Sequence, residues 1–209
     1  DTTQFAALTG TQLSGLSATQ VAGLTTTQVT ALTTTQVAGL TSTALGGLTT
    51  TQATALTSTD LAVLTTTQVK GLTTSQLNVL DTTQLGSLTS TLVGALSTTQ
   101  VSGLSTTQVT ALTSTQVGGL TTTQLASLST TSLNALDTTD IAALTATQVG
   151  GLSSTQLAGL TATSLGALES TDIAALTVTQ AKGFTSTQLG LLDTTQFAAL
   201  TGTQLSGLS

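Results

Sequence analysis

The feature that most constrains this chain is a phase that never slips. Read from Asp1 in blocks of eight, 208 of the 209 residues form 26 octads without an insertion, and Ser209 opens a twenty-seventh. The pattern is T-x-T-Q-φ-x-s-L, with φ apolar and s small, and residues 33–40 (TTTQVAGL) state it in full. Position 8 is Leu in every octad except at Phe184. Position 5 is Val, Leu, Ile or Phe except at Ala53 and Ala181. A short fixed period of this kind means a repeat architecture, in which neighbouring units complete one core.

Position 1 is Thr, Ser or Asp except at Glu169. Position 4 is Gln in 19 octads, the others being Ala44, Asp60, Leu92, Ser132, Asp140, Ser164 and Asp172. A Thr, Ser or Asp followed three residues later by Gln or Asp predicts a capping box at a helix start. The preceding Leu then falls at N′ and position 5 at N4, the pair that forms a hydrophobic staple. The charges agree with this frame. All eight carboxylates (Asp1, Asp60, Asp81, Asp137, Asp140, Glu169, Asp172 and Asp193) occupy positions 1 or 4, where the positive end of a helix dipole favours them. Lys70 and Lys182 occupy position 6, toward the other end.

Eight residues leave room for roughly one and a half helical turns. Gly or another small residue at position 7 predicts a tight exit, with Gly supplying a positive φ. So short a helix does not survive alone in water. Burying positions 5 and 8 does not offset the entropy of ordering a whole octad, so octads must stack. The predicted fold is an all-α solenoid of very short capped helices, one per octad. A β-solenoid is the alternative, because Thr and Val favour strands. Against it, positions 5 and 8 would face opposite sides of a strand, and the chain has no Pro and little Asn to form turns.

No linker or composition shift interrupts residues 1–209, which read as a single continuous repeat array. Residues 1–17 recur unchanged at 193–209, an offset of 24 octads or 192 residues. The expectation is a second-level repeat of 192 residues in a longer protein of which this chain is a slice. A solenoid with open ends is expected to associate with copies of itself, end to end or laterally.

Composition excludes several functions. Two basic residues cannot neutralise a phosphate backbone, so no nucleic-acid partner is expected. Thr and Gln interrupt every apolar run, so no membrane span is expected either. Without His or Cys the many hydroxyls lack a base to activate them. Neither an enzyme nor a cofactor is expected. The only candidate metal ligands are Asp137, Asp140, Glu169 and Asp172, two i, i+3 pairs four octads apart. If four octads brought the pairs together, four carboxylates could hold Ca²⁺; the competing reading is separate helix-start charges. Position 3 is Thr in 25 octads, with Ser75 the exception. Its hydroxyl is expected to bond the backbone of the neighbouring coil while its methyl packs. The competing reading is a functional Thr array.

The T-x-T ladder resembles the ice-binding faces of insect-type β-solenoid antifreeze proteins. In period, though not in sequence, the octads resemble the coils of bacterial ice-nucleation proteins. The spacing does not fit the calcium-binding RTX nonapeptides. The whole array, of the form L-T-x-T-Q-V-x-x-L, resembles octapeptide-repeat segments of very large secreted or surface proteins of bacteria. That resemblance implies an extracellular or cell-surface structural role as a filament, sheath, stalk or adhesin spacer. The T-x-T resemblance implies ice- or crystal-surface binding as the alternative.

Overall fold

The computed structural model describes residue 5 and residues 7–208. Asp1, one of the eight predicted helix-start charges, lies outside the described residues. Each octad from residue 9 onward carries one helix of four to six residues, and no strand occurs among the described residues. The all-α prediction therefore holds and the β-solenoid alternative does not. The reason is local. At Thr33, for example, the backbone is extended (φ −80°, ψ 156°), its side chain accepts from Gln36 N–H, and Gln36 answers through Thr33 N–H. Two of the four orphan donors of a helix start are thereby satisfied within four residues.

The chain comprises two compact units, Asp1–Leu112 and Thr113–Ser209, and the octad phase runs unbroken from one into the other. Within each unit a helix packs on the helix three octads away. In the first unit Thr34–Gly39 packs on Gly10–Leu13, and Thr66–Gly71 packs on Ser42–Gly46, which itself packs on Ala18–Ala22. In the second, Ser170–Ala175 packs on Ala146–Val149 and Gly202–Gly207 on Val178–Ala181. One turn of each coil is thus three octads. Positions 5 and 8 form the core, as with Val69 (0% exposed) and Leu72 (4%), or Leu157 (0%) and Leu160 (6%), except that Phe197 and Leu205 at position 5 are exposed. Ala181 and Phe184, the divergent pair, are both buried.

The expected left-handed glycine exit does not occur, since no described residue has a positive φ. The chain leaves each helix through a right-handed residue or an extended Leu, as at Gly23 (φ −79°, ψ −5°) and Leu40 (φ −69°, ψ 142°). An extended Leu leads straight into the next extended N-cap, so a reversing cap has no place between helices. Position 7 is small for another reason. A Cβ on Gly39 would lie 2.4 Å from Gly10 Cα, one on Gly71 2.3 Å from Ser42 O, and one on Gly183 2.6 Å from Ser154 O. Each contact joins position 7 to position 2 of the octad one turn earlier. Glycine is required there by the closeness of successive turns.

Candidate functional site

The residue that organises this fold is the position 4 glutamine. Its Oε1 closes the capping box and its Nε2 reaches out of its own octad. Gln76 accepts from Thr73 N–H at 2.6 Å and donates to the carbonyls of Leu45 at 2.8 Å and Leu48 at 2.6 Å. Those carbonyls belong to the octad four earlier, at the end of its helix, where backbone oxygens run short of donors; Leu45 O also accepts from Leu48 N–H at 3.1 Å. The same geometry recurs at Gln100 with Val69 and Leu72, and at Gln108 with Leu77 and Leu80. In the second unit it recurs at Gln156 with Leu125 and Leu128, and at Gln204 with Ile173 and Leu176. One carboxamide therefore starts one helix and finishes another. It supplies the donors that a left-handed C-cap would otherwise provide. Gln36 is the first to reach back, to Leu8 at 2.8 Å. Gln12 and Gln20, whose octads have no turn before them in this chain, are exposed.

The exceptions at position 4 are the places where the ladder changes chemistry. Asp60, Asp140 and Asp172 are each 2% exposed. A carboxylate can close the capping box, as Asp172 does by accepting from Glu169 N–H at 2.9 Å. It cannot donate to a carbonyl. Burial pushes the Asp172 carboxyl above its ordinary value of 3.8, and the Glu169 charge adds to the rise against the lowering effect of the Glu169 N–H bond. Asp140 is raised chiefly by burial as well, with hydrogen bonds from Ser114 Oγ (3.0 Å) and the Asp137 backbone pulling the other way.

A raised folded-state pKa means that the neutral acid is favoured in the native state. The associated stability is complete below about the ordinary value and is lost as pH rises through the shifted one. Stability is therefore expected to increase on acidification from neutral pH, as far as these two groups determine it. Asp172→Gln, which restores the donor facing the Ile141 and Leu144 carbonyls, should stabilise by about 1–2 kcal/mol at neutral pH. It should also flatten the acid-side slope of thermal unfolding midpoints against pH. An unchanged slope would show that Asp172 does not set it.

At Ser164 the ladder is missing, because its hydroxyl is too short and pairs with Thr161 Oγ1 at 2.9 Å. A groove of about 460 Å³ opens there, lined among others by Asn134, Leu136, Asp137, Thr161, Thr163 and Ser164. Asn134 takes over half of the absent glutamine's work. Its Oδ1 accepts from Thr161 N–H at 3.0 Å and its Nδ2 donates to Gly159 O at 2.8 Å.

Each sequence-predicted site residue has a definite place. Asp137 caps helix Thr138–Ala142 by accepting from Asp140 N–H at 2.8 Å. Glu169 and Asp172 start helix Ser170–Ala175. A turn is three octads, so pairs four octads apart do not stack on one another. No group of three or more His, Cys, Asp or Glu residues that could hold a metal occurs among the described residues. Asp137 alone of the four lines the groove.

The position 3 hydroxyls differ from expectation. Every described one is exposed, from Thr11 to Thr203. At N2 of a helix whose core-facing residues are positions 5 and 8, the side chain points outward. Sequence reasoning missed the reach of the glutamine amide, although a signal was present. A capping box accepts Glu as readily as Gln, yet no octad has Glu at position 4.

The ALTTAQ repeat family matches residues 1–34, 55–90, 93–122 and 165–202, about two thirds of the chain. Residues 31–36, ALTTTQ, span positions 7 through 4 of the octad frame and differ from that name at one letter. Comparison with curated proteins returns no match.

Proposed function

The chain belongs to the ALTTAQ repeat family, and we propose that this repeat-based structural protein builds an extracellular or cell-surface filament, sheath, stalk or adhesin spacer by self-association. The observation that supports this reading best is its surface. Positions 1 and 3 are exposed in every described octad from residue 9 onward, which presents rows of Thr and Ser hydroxyls. Charged residues are only 5% of the chain, so little electrostatic repulsion opposes contact between copies. No described helix is long and apolar enough to cross a membrane.

Sedimentation velocity over a wide concentration range, followed by negative-stain electron microscopy, tests the proposal. Elongation or bundling with rising concentration is the expected result. A strictly monomeric particle at the highest concentration would remove the assembly role.

The exposed position 3 ladder favours a second reading, binding to ice or another crystal surface. Thr43, Thr67 and Thr91 lie on three helices stacked in successive turns (Ser42–Gly46, Thr66–Gly71 and Ser90–Ala95), and all three are exposed. Thermal hysteresis that disappears in T43K/T67K/T91K would support this role. Unaltered ice growth by the parent protein would exclude it.

A further inference from the structure

We propose that the groove at Ser164 is a binding site for a primary ammonium group. At glutamine octads of the same unit, the carbonyl at position 8 receives an amide donor from four octads later: Leu128 from Gln156 at 2.9 Å, Leu152 from Gln180 at 2.7 Å, and Leu168 from Gln196 at 2.7 Å. Leu136, which lines the groove, receives none from Ser164, whose hydroxyl is turned to Thr161. A carboxamide ligand would bring both a donor and an acceptor, as glutamine does. The acceptor is not needed here, because Asn134 Oδ1 already holds Thr161 N–H. What is left is demand for N–H donors alone.

The charge of the site points the same way. Asp137 lines the groove and commits Oδ1 to Asp140 N–H, leaving its second oxygen able to accept. The Leu136 carbonyl stands at the negative, C-terminal side of helix Thr130–Leu133. An alkylammonium ion carries three N–H donors and one positive charge and so satisfies the acceptors that the short serine leaves. Two sources can supply that chemistry: a free amine, or Lys70 or Lys182 of a second copy, both of them exposed.

The test uses the full chain with ¹⁵N-labelled asparagine. Asn134 and Asn78 are the only two asparagines, so one side-chain amide reports the groove and the other serves as control. Titration with n-butylammonium chloride is expected to shift the Asn134 carboxamide to saturation and leave Asn78 in place. Tetramethylammonium, with the same charge and no N–H, is expected to give no saturable shift. Ser164→Gln, which fills the groove, should weaken the butylammonium response by about tenfold or more. Asp137→Asn, which keeps a helix cap, should weaken it less.

Equal responses to both cations, or an undiminished response in a folded S164Q protein, would overturn the proposal. So would acetamide binding at least as tightly as butylammonium. Concentration-dependent shifts of Asn134 without added amine, abolished in K70Q/K182Q, would identify a second copy as the source. Binding of butylammonium with no such self-shift would identify a free amine.

Discussion

Replacing Gln76 with Ala should cost about 3–5 kcal/mol, far more than a helix cap alone. The substitution strands Thr73 N–H, which loses Oε1, and the Leu48 carbonyl, which loses Nε2, and it takes from the Leu45 carbonyl its side-chain donor, leaving only Leu48 N–H there. Each buried polar group left unpaired costs about 1–3 kcal/mol. Gln12→Ala provides the contrast. Gln12 is exposed and its amide closes only its own capping box, through Thr9 N–H at 2.8 Å, so about 0.5–1 kcal/mol is expected. Denaturant unfolding of both variants measures the difference. Hydrogen exchange at residues 73–80 should show whether the damage spreads to the octad that loses its start. Equal losses in the two variants would mean that the bonds between octads contribute nothing.

Gly71→Ala should cost about 2–3 kcal/mol, because the new methyl would sit 2.3 Å from Ser42 O and 2.7 Å from Ser42 C. Those are backbone atoms and cannot rotate aside, so successive turns must separate. Gly86→Ala, on helix Thr82–Gly86 with nothing within 4 Å of its added Cβ, should instead stabilise by about 0.5–1 kcal/mol. Gly103 offers a sharper version. Its added Cβ would meet the Thr74 Cγ2 methyl at 2.2 Å, so Thr74→Ser should rescue Gly103→Ala and should not rescue Gly71→Ala. Thermal unfolding of the single and double variants decides this. Failure of the specific rescue would move the cause of the glycine requirement from contact between turns to backbone conformation.

The helices were legible because their information is local. Thr33 and Gln36 are three residues apart, and no distant partner is needed to read a capping box between them. The inward-facing pair Val69 and Leu72 follows from the same frame by helical spacing alone. The size of the turn was not legible. It depends on which octad meets which, and near-identical octads satisfy the contact between Gly71 and Ser42 in many pairings on paper. The choice between the two readings of Asp137, Asp140, Glu169 and Asp172 depended on the same gap. A turn of four octads would have stacked Asp137 beneath Glu169, and a turn of three does not. A left-handed exit at Gly39 fits the sequence read alone, because the chain does not reveal that Gly10 passes within van der Waals contact of it. The groove at Ser164 was invisible for a related reason. Ser164 is an unremarkable polar residue until the carbonyls facing it, four octads earlier, are known.

The bonds that the position 4 glutamines make between turns end on backbone carbonyls, and this bears on how such a chain changes length. A carbonyl does not identify the octad that carries it. Loss or gain of one octad moves every later octad to the next side of the coil, yet a glutamine again meets helix-end oxygens, that of position 8 among them, four units behind. Unequal recombination in steps of eight residues therefore preserves the ladder, whereas a step of any other size destroys it. The residues that can tell one alignment from another are the few that break the pattern. Gly39 accepts Gly10 closely, but Val63 and Leu191 at the same position need roomier neighbours. In a chain built almost wholly from interchangeable parts, the misfits keep the register.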